Sequence, residues 1–208
     1  MKSVVFEKVT VRYHYDQFDA LSDLSFEVRK GETVSLILGE QGGKTTTAKL
    51  VMGLVEPTSG KILADGGLLG DLSADKRGVA YICFPPLSFK TTVFKNVLRV
   101  LRLKGLGKTE SKERAGIALK KFGLDGFSGE KASCLDEERL LELSLARAWC
   151  KRAEFFIIDG PTDNAAVDKI LGVAAELDAS VLLLCDSASV ARGRIVNFLP
   201  DINLTEEI

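Results

Sequence analysis

Apolar positions in the first third of the chain recur with a period of two. Residues 3–13 alternate and end in Tyr13, His14 and Tyr15. Residues 16–19 form a polar turn, and DLSFEV at 23–28 alternates again. This period predicts half-buried strands, with Lys30-Gly31 as hairpin-type punctuation between elements. The next run, VSLIL at 34–38, is apolar almost throughout, which predicts a strand covered on both faces. A glycine turn at 39–43 follows, then a helix reaching about Gly53. Pro57, Ser59 and Gly60 mark a turn before a short strand at 61–64.

Between Thr92 and Trp149 the period becomes helical. Ala115, Leu119 and Phe122 share one face while Lys112, Glu113, Lys120 and Lys121 lie elsewhere, and Gly123 is placed to close the helix. Leu141, Leu145, Ala148 and Trp149 form a second apolar face. FFII at 155–158 is a short buried-type run ending in Asp159, as in a parallel strand whose carboxyl end faces a ligand. A helix over 164–177 and a strand over 181–184 complete the alternation. The expectation is an α/β fold in one domain spanning 1–208, without internal repeat or linker.

Composition adds little. The 208 residues are 46% hydrophobic and 27% charged, ordinary for a globular chain with a sizeable core. A formal net charge of −1 gives no electrostatic footprint for nucleic acid. No apolar run approaches the roughly 20 residues that cross a bilayer, and nothing resembles a signal peptide. Cys83, Cys134, Cys150 and Cys185 are widely separated beside apolar residues, which predicts reduced, buried thiols rather than disulfides or a metal site.

The candidate chemistry lies in the glycine turn. A strand, a glycine loop and a helix opening on Lys44, Thr45 and Thr46 supply what a polyphosphate needs. Backbone amides and a helix N-terminus cradle it, a lysine serves the terminal phosphates, and a hydroxyl serves magnesium. Gly39 is followed by Glu40, Gln41 and Gly42 before Gly43-Lys44, one residue fewer than the full pattern. An extended residue spans about 3.3–3.6 Å, so the deficit tightens the loop or shifts its first glycine.

ALSDLSFEVRKGETVSLILG, followed by GKTTTAKLVMGLVEPTSGKILADG, resembles the N-terminal half of an ATP-binding-cassette (ABC) transporter ATPase. The resemblance continues through RGVAYICFPPLSF, TTVFKNVLRVL, SLARAWCKRAEFFIIDGPT and SVLLLCDS, in family order and over nearly the whole chain. The central portion most resembles the sugar-importing branch, without the long C-terminal regulatory extension of that branch.

The resemblance implies a P-loop NTPase of the ABC type. Its parallel-sheet core would carry an antiparallel N-terminal β region and a helical subdomain at about 88–150. It implies ATP and magnesium as cofactors, a membrane permease subunit as partner with a second ABC ATPase subunit as a further candidate, and no nucleic acid. The place would be the cytoplasm, peripheral on the inner face of the cell membrane. Tyr13 matches the aromatic on which adenine stacks. Gly39, Glu40, Gln41, Gly42, Gly43, Lys44, Thr45 and Thr46 match the phosphate loop, and Thr45 and Asp159 match the magnesium-linked pair.

The family's catalytic positions have changed. Gly160 stands where the family has its catalytic glutamate, Phe84 where it has a glutamine, and Asp186 where it has a histidine. The single histidine, His14, is far away in sequence and reads as an ordinary surface or turn residue. Counting ten residues back from Leu145-Ala146-Arg147-Ala148 places Leu135-Asp136-Glu137-Glu138-Arg139 at the Leu-Ser-Gly-Gly-Gln signature. In the family that segment opens a helix toward the γ-phosphate on a partner subunit, and three acids there oppose an anion. The same acids stabilise a helix start by roughly 0.3–1 kcal/mol each. The reading is a degenerate ABC nucleotide-binding subunit that binds ATP weakly and hydrolyses it poorly or not at all. A working ATPase and an interaction protein keeping only the cassette shape are the alternatives. A small P-loop kinase or GTPase leaves the later segments unexplained. In the family the permease or a binding protein selects the cargo, so this chain does not specify it.

Overall fold

A computed structural model describes residues 1–13, 18–73 and 76–198. The expectation for His14 falls outside these residues. Strands β1 (Val4–Val11), β2 (Leu21–Val28), β4 (Ser59–Ala64) and β5 (Gly67–Leu68) form an antiparallel sheet of order β2-β1-β4-β5. β1 buries Val4, Phe6, Val9 and Val11, its alternation broken once by an irregularity between Phe6 and Val9, and the Phe6 and Phe26 rings stack across the β1–β2 pair at 4.5 Å. Tyr13 lies two residues beyond the end of β1.

A second sheet is parallel throughout. Its order is β6-β7-β8-β3-β9, from β3 (Thr33–Ile37), β6 (Val79–Cys83), β7 (Phe155–Asp159), β8 (Ser180–Cys185) and β9 (Arg194–Asn197). Every residue of β7 and β8 is buried, as the continuous apolar runs require of strands covered on both faces. Lys30-Gly31 does not close a hairpin. β2 pairs with β1 while β3 pairs with β8 and β9, so this turn passes the chain from one sheet to the other. Glu32 fixes the passage by accepting from Arg194 of β9, with Nη2 at 3.1 Å, and from the Arg29 amide at 2.9 Å. Arg194 also donates to the Glu27 carbonyl at 2.6 Å.

Helix α1 (Lys44–Met52) follows β3. Helices α2 (Val93–Leu103), α3 (Lys108–Lys121) and α4 (Glu137–Lys151) enclose an apolar cluster of their own that includes Val97, Leu101, Ala115, Leu119 and Leu143. Gly123, at φ +66°, turns the chain out of α3, and the Leu124 amide reaches back to the Leu119 carbonyl at 2.7 Å, the backbone pattern of a glycine-closed helix. The second apolar face splits in the structure. Leu141, Leu145 and Ala148 pack toward the parallel sheet, whereas Trp149 packs with the helical cluster, so α4 is buried on two sides. The Trp149 indole donates to Glu176 at 2.9 Å, at the end of α5 (Asn164–Glu176), and Lys121 of α3 pairs with the same carboxylate at 2.9 Å. All four cysteines are free. Cys150 and Cys185 are buried as expected, but Cys83 is half-buried and Cys134 is exposed, because it lies in a short turn ahead of α4 rather than in a packed element.

Candidate nucleotide site

β8 lies between β7 and β3, so three strand ends bring the sequence-predicted residues to one carboxyl edge of the parallel sheet. β7 ends at Asp159, the residue after β8 is Asp186, and β3 runs into the glycine loop. The edge is tied by the amides of Leu38 to Cys185 O and of Gly160 to Leu184 O, both 3.1 Å.

The loop is tight. Gly39, Gln41 and Gly43 all have positive φ, at +70°, +58° and +89°, alternating with residues that do not. Such alternation turns successive amides toward a common hollow. There is no room for side chains at its end: a β-carbon on Gly42 would stand 1.7 Å from Leu38 O, and one on Gly43 would stand 2.5 Å from Ala20 O. The shortened loop also closes partly on itself. The Gly39 carbonyl accepts from the Gly42 amide at 3.4 Å and from Lys44 Nζ at 2.9 Å. Helix α1 then starts without a side-chain cap, leaving its first-turn amides to an outside acceptor.

Each functional side chain has an internal partner. Lys44 Nζ donates to the Asp186 carboxylate as well as to Gly39 O. Thr45 Oγ1 donates to Asp159 Oδ2 at 3.2 Å, and the Tyr81 hydroxyl donates to the same oxygen at 2.8 Å. Burial, reinforced by this bond to Asp159, raises the Tyr81 pKa far above its ordinary value, so the phenol stays a donor. Tyr81 was not among the sequence-predicted site residues. Its signal was the period of β6, which puts Tyr81 and Cys83 on one face, with Cys83 in register with Asp159. The Tyr13 hydroxyl lies 3.2 Å from Thr46 Oγ1, and Lys49 Nζ stands 5.9 Å from the Tyr13 ring centroid. Tyr13 and Thr46 are thus joined to the start of α1, while Glu40 is exposed at the loop surface.

Among the described residues no group of three or more His, Cys, Asp or Glu could hold a metal by itself. Thr45 and Asp159, whose oxygens meet at one point, nonetheless fit magnesium in the manner that ion prefers, with few protein oxygens and the remaining positions supplied by phosphate and water. A threonine oxygen can coordinate through a lone pair while its own hydroxyl proton is still donated to Asp159.

The changed catalytic positions have distinct surroundings. Gly160 is at φ +67° and a β-carbon there would meet nothing within 4 Å, so space is open but the backbone suits glycine. Phe84 and Pro86 help line a cavity of about 320 Å³ shared with Glu137, Glu138, Asp163 and Lys169. Asp136 caps α4, accepting from the Arg139 amide at 2.8 Å, and Lys169 lies 3.6 Å from Glu138 and also pairs with Glu142. These acids therefore stabilise the helix start, and the lysine neutralises part of their charge.

A phosphate-type loop, an aspartate at the end of the neighbouring strand and a separate helical cluster define a P-loop cassette of the ABC ATPase class. Residues 21–163 match the family model described as ABC transporter, and the chain belongs to that family. It is 37% identical over 168 residues to the "Fe(3+) ions import ATP-binding protein" of Brucella suis biovar 1, covering 78% of this chain and 46% of the relative. It is also 37% identical over 155 residues to the "Spermidine/putrescine import ATP-binding protein" of Methylococcus capsulatus, covering 72% and 39%. The chain thus spans less than half the length of these relatives, whose names refer to iron and polyamines and not to sugars. A solved ATP-binding subunit of an ABC transporter superposes with a TM-score of 0.77 at 25% identity, covering 94% of this chain and 85% of the other. A dimeric cassette in a post-hydrolysis state with ADP and Pi has the same TM-score at 24% identity, covering 94% of each chain, a likeness of fold.

Proposed function

We propose that this chain is an ABC-type nucleotide-binding subunit that holds a nucleotide weakly and hydrolyses it poorly or not at all. It would work at the inner face of a membrane, docked on a permease through a helical subdomain at about 88–150, with a second ATPase subunit as a further partner. The names of the import ATP-binding relatives support that setting. The observation that carries the reading is the convergence of Lys44, Thr45 and Asp159 at one strand edge with Gly160 directly after Asp159.

In the bound state the Gly39–Gly43 amides and the start of α1 hold phosphate oxygens, and Tyr13 offers its ring to adenine. Thr45 and Asp159 would hold magnesium, which would supply positive charge against the phosphates. Hydrolysis fails because no carboxylate follows Asp159 to take a proton from water. Loss of one positioned general base costs about 10²–10⁴-fold, and Phe84 and Asp186 supply neither the amide nor the imidazole of the family.

The test pairs calorimetric nucleotide binding with phosphate release, on the wild type and Lys44→Ala. Expected are binding that the substitution weakens and release near background in both. Turnover well above the Lys44→Ala control would make the chain a working ATPase, and absence of binding would leave an interaction protein with the cassette shape.

A further inference from the structure

Lys44 is the residue of this loop type that reaches the terminal phosphates, yet its ammonium is engaged by a carboxylate of the chain itself. Asp186 owes that position to strand order: it leaves β8 directly between Asp159 on β7 and the loop after β3. The lysine side chain is only 16% exposed, so solvent screens the pair weakly from that side. An ammonium has three donors. Two are directed at Asp186 and at Gly39 O, and one remains.

We propose, resting on the nucleotide-binding reading above, that Asp186 takes the place of a γ-phosphate oxygen on Lys44 and makes this a site for nucleoside diphosphate in preference to triphosphate. Loop amides, the α1 N-terminus and the one remaining Lys44 donor serve the α- and β-phosphates, so a diphosphate binds with the Lys44–Asp186 pair intact. A third phosphate brings negative charge to the ammonium that the carboxylate already neutralises. It must either displace Asp186 or sit beside it, and both lower affinity for the longer ligand. Thr45 and Asp159 would be available to magnesium with either nucleotide, and the chain's own charge that separates the two ligands at Lys44 is that of Asp186.

The experiment is calorimetry with ADP and with ATP, each with excess magnesium, on the whole chain. The proteins are the wild type, Asp186→Asn, which keeps the shape and removes the charge, and Glu113→Gln, an exposed acid on α3. The wild type is expected to bind ADP about tenfold or more tightly than ATP, a difference of about 1.4 kcal/mol. Asp186→Asn brings the ratio to about one or reverses it, and Glu113→Gln leaves it as in the wild type. Asp186 is half exposed, so a thermal melt of the variant is expected to match the wild type and confirm an intact fold. Equal affinities in the wild type, or a ratio unmoved by Asp186→Asn, overturn the role of Asp186 while nucleotide binding stands. If neither nucleotide binds the wild type or the variant, the nucleotide-binding reading falls and this inference with it.

Discussion

A β-carbon placed on Gly53 would stand 2.5 Å from Cζ and both terminal nitrogens of Arg77. Gly53 closes α1 in the left-handed region at φ +74°, and the buried guanidinium lies against it, donating to Val51 O at 3.0 Å, Leu50 O at 3.4 Å and Leu72 O at 3.0 Å. The helix that begins at the phosphate loop thus ends on a positive charge, the sign its carbonyl end favours.

Arg77→Met is expected to lower stability by about 2–3 kcal/mol, because carbonyls that now accept from a charged donor are left inside the fold. Chemical denaturation of the wild type and the variant measures this. A midpoint within error of the wild type would mean that water replaces the guanidinium at no cost.

Inserting one glycine between Gly42 and Gly43 should strengthen nucleotide binding. The longer loop releases the Gly39 carbonyl from the Gly42 amide and Lys44, returning one amide and one ammonium donor to the ligand. Titration with a fluorescent nucleotide reads the change. An affinity equal to that of the wild type would show that loop length is not the limiting defect.

Nucleotide-driven pairing of two copies should fail, since Asp136, Glu137 and Glu138 oppose an incoming phosphate at the start of α4. Replacing them by Ser, Gly and Gly should allow ATP-dependent association while costing about 1–2 kcal/mol of stability, as acids leave the first turn and glycines enter it. Light scattering with magnesium and ATP decides the first point and thermal melting the second. Equal ATP-dependent dimerisation by the wild type would show that these acids do not face the nucleotide.

Stability should fall in acid partly through Glu32. Its bond to Arg194, together with the Arg29 amide, holds its pKa below the ordinary carboxylate value of 4.5 against the opposing effect of burial. A depressed folded pKa gives stability that is present above the unfolded value and is lost as pH falls through the folded one. Glu32→Gln should therefore be less stable than the wild type at neutral pH, with the gap narrowing as pH drops below 4.5. Denaturation at several pH values checks this, and a gap independent of pH would assign the effect to packing at the β2–β3 turn.

The main elements were legible because their apolar periods are long. Alternation marked β1 and β2, and continuous apolar runs marked β3, β7 and β8. β9 was not legible: its residues Arg194–Asn197 are largely exposed at a sheet edge, so no core selects their side chains. The hairpin reading of Lys30-Gly31 failed because a turn signal does not specify which sheet receives the next strand. At the site, the residues of the loop and strand ends could be named by type, but the Lys44–Asp186 and Tyr81–Asp159 bonds could not. These pairs are 142 and 78 residues apart in sequence and meet only through the order β6-β7-β8-β3.

Trp149 is the only tryptophan in the chain, and its indole N–H ends on Glu176, where the helical cluster meets α5. That seam carries its own optical reporter. A ligand that rocks α4 away from α5 exposes the ring and breaks its bond, shifting its emission to the red without any attached dye. A ligand that only fills the loop leaves the spectrum in place.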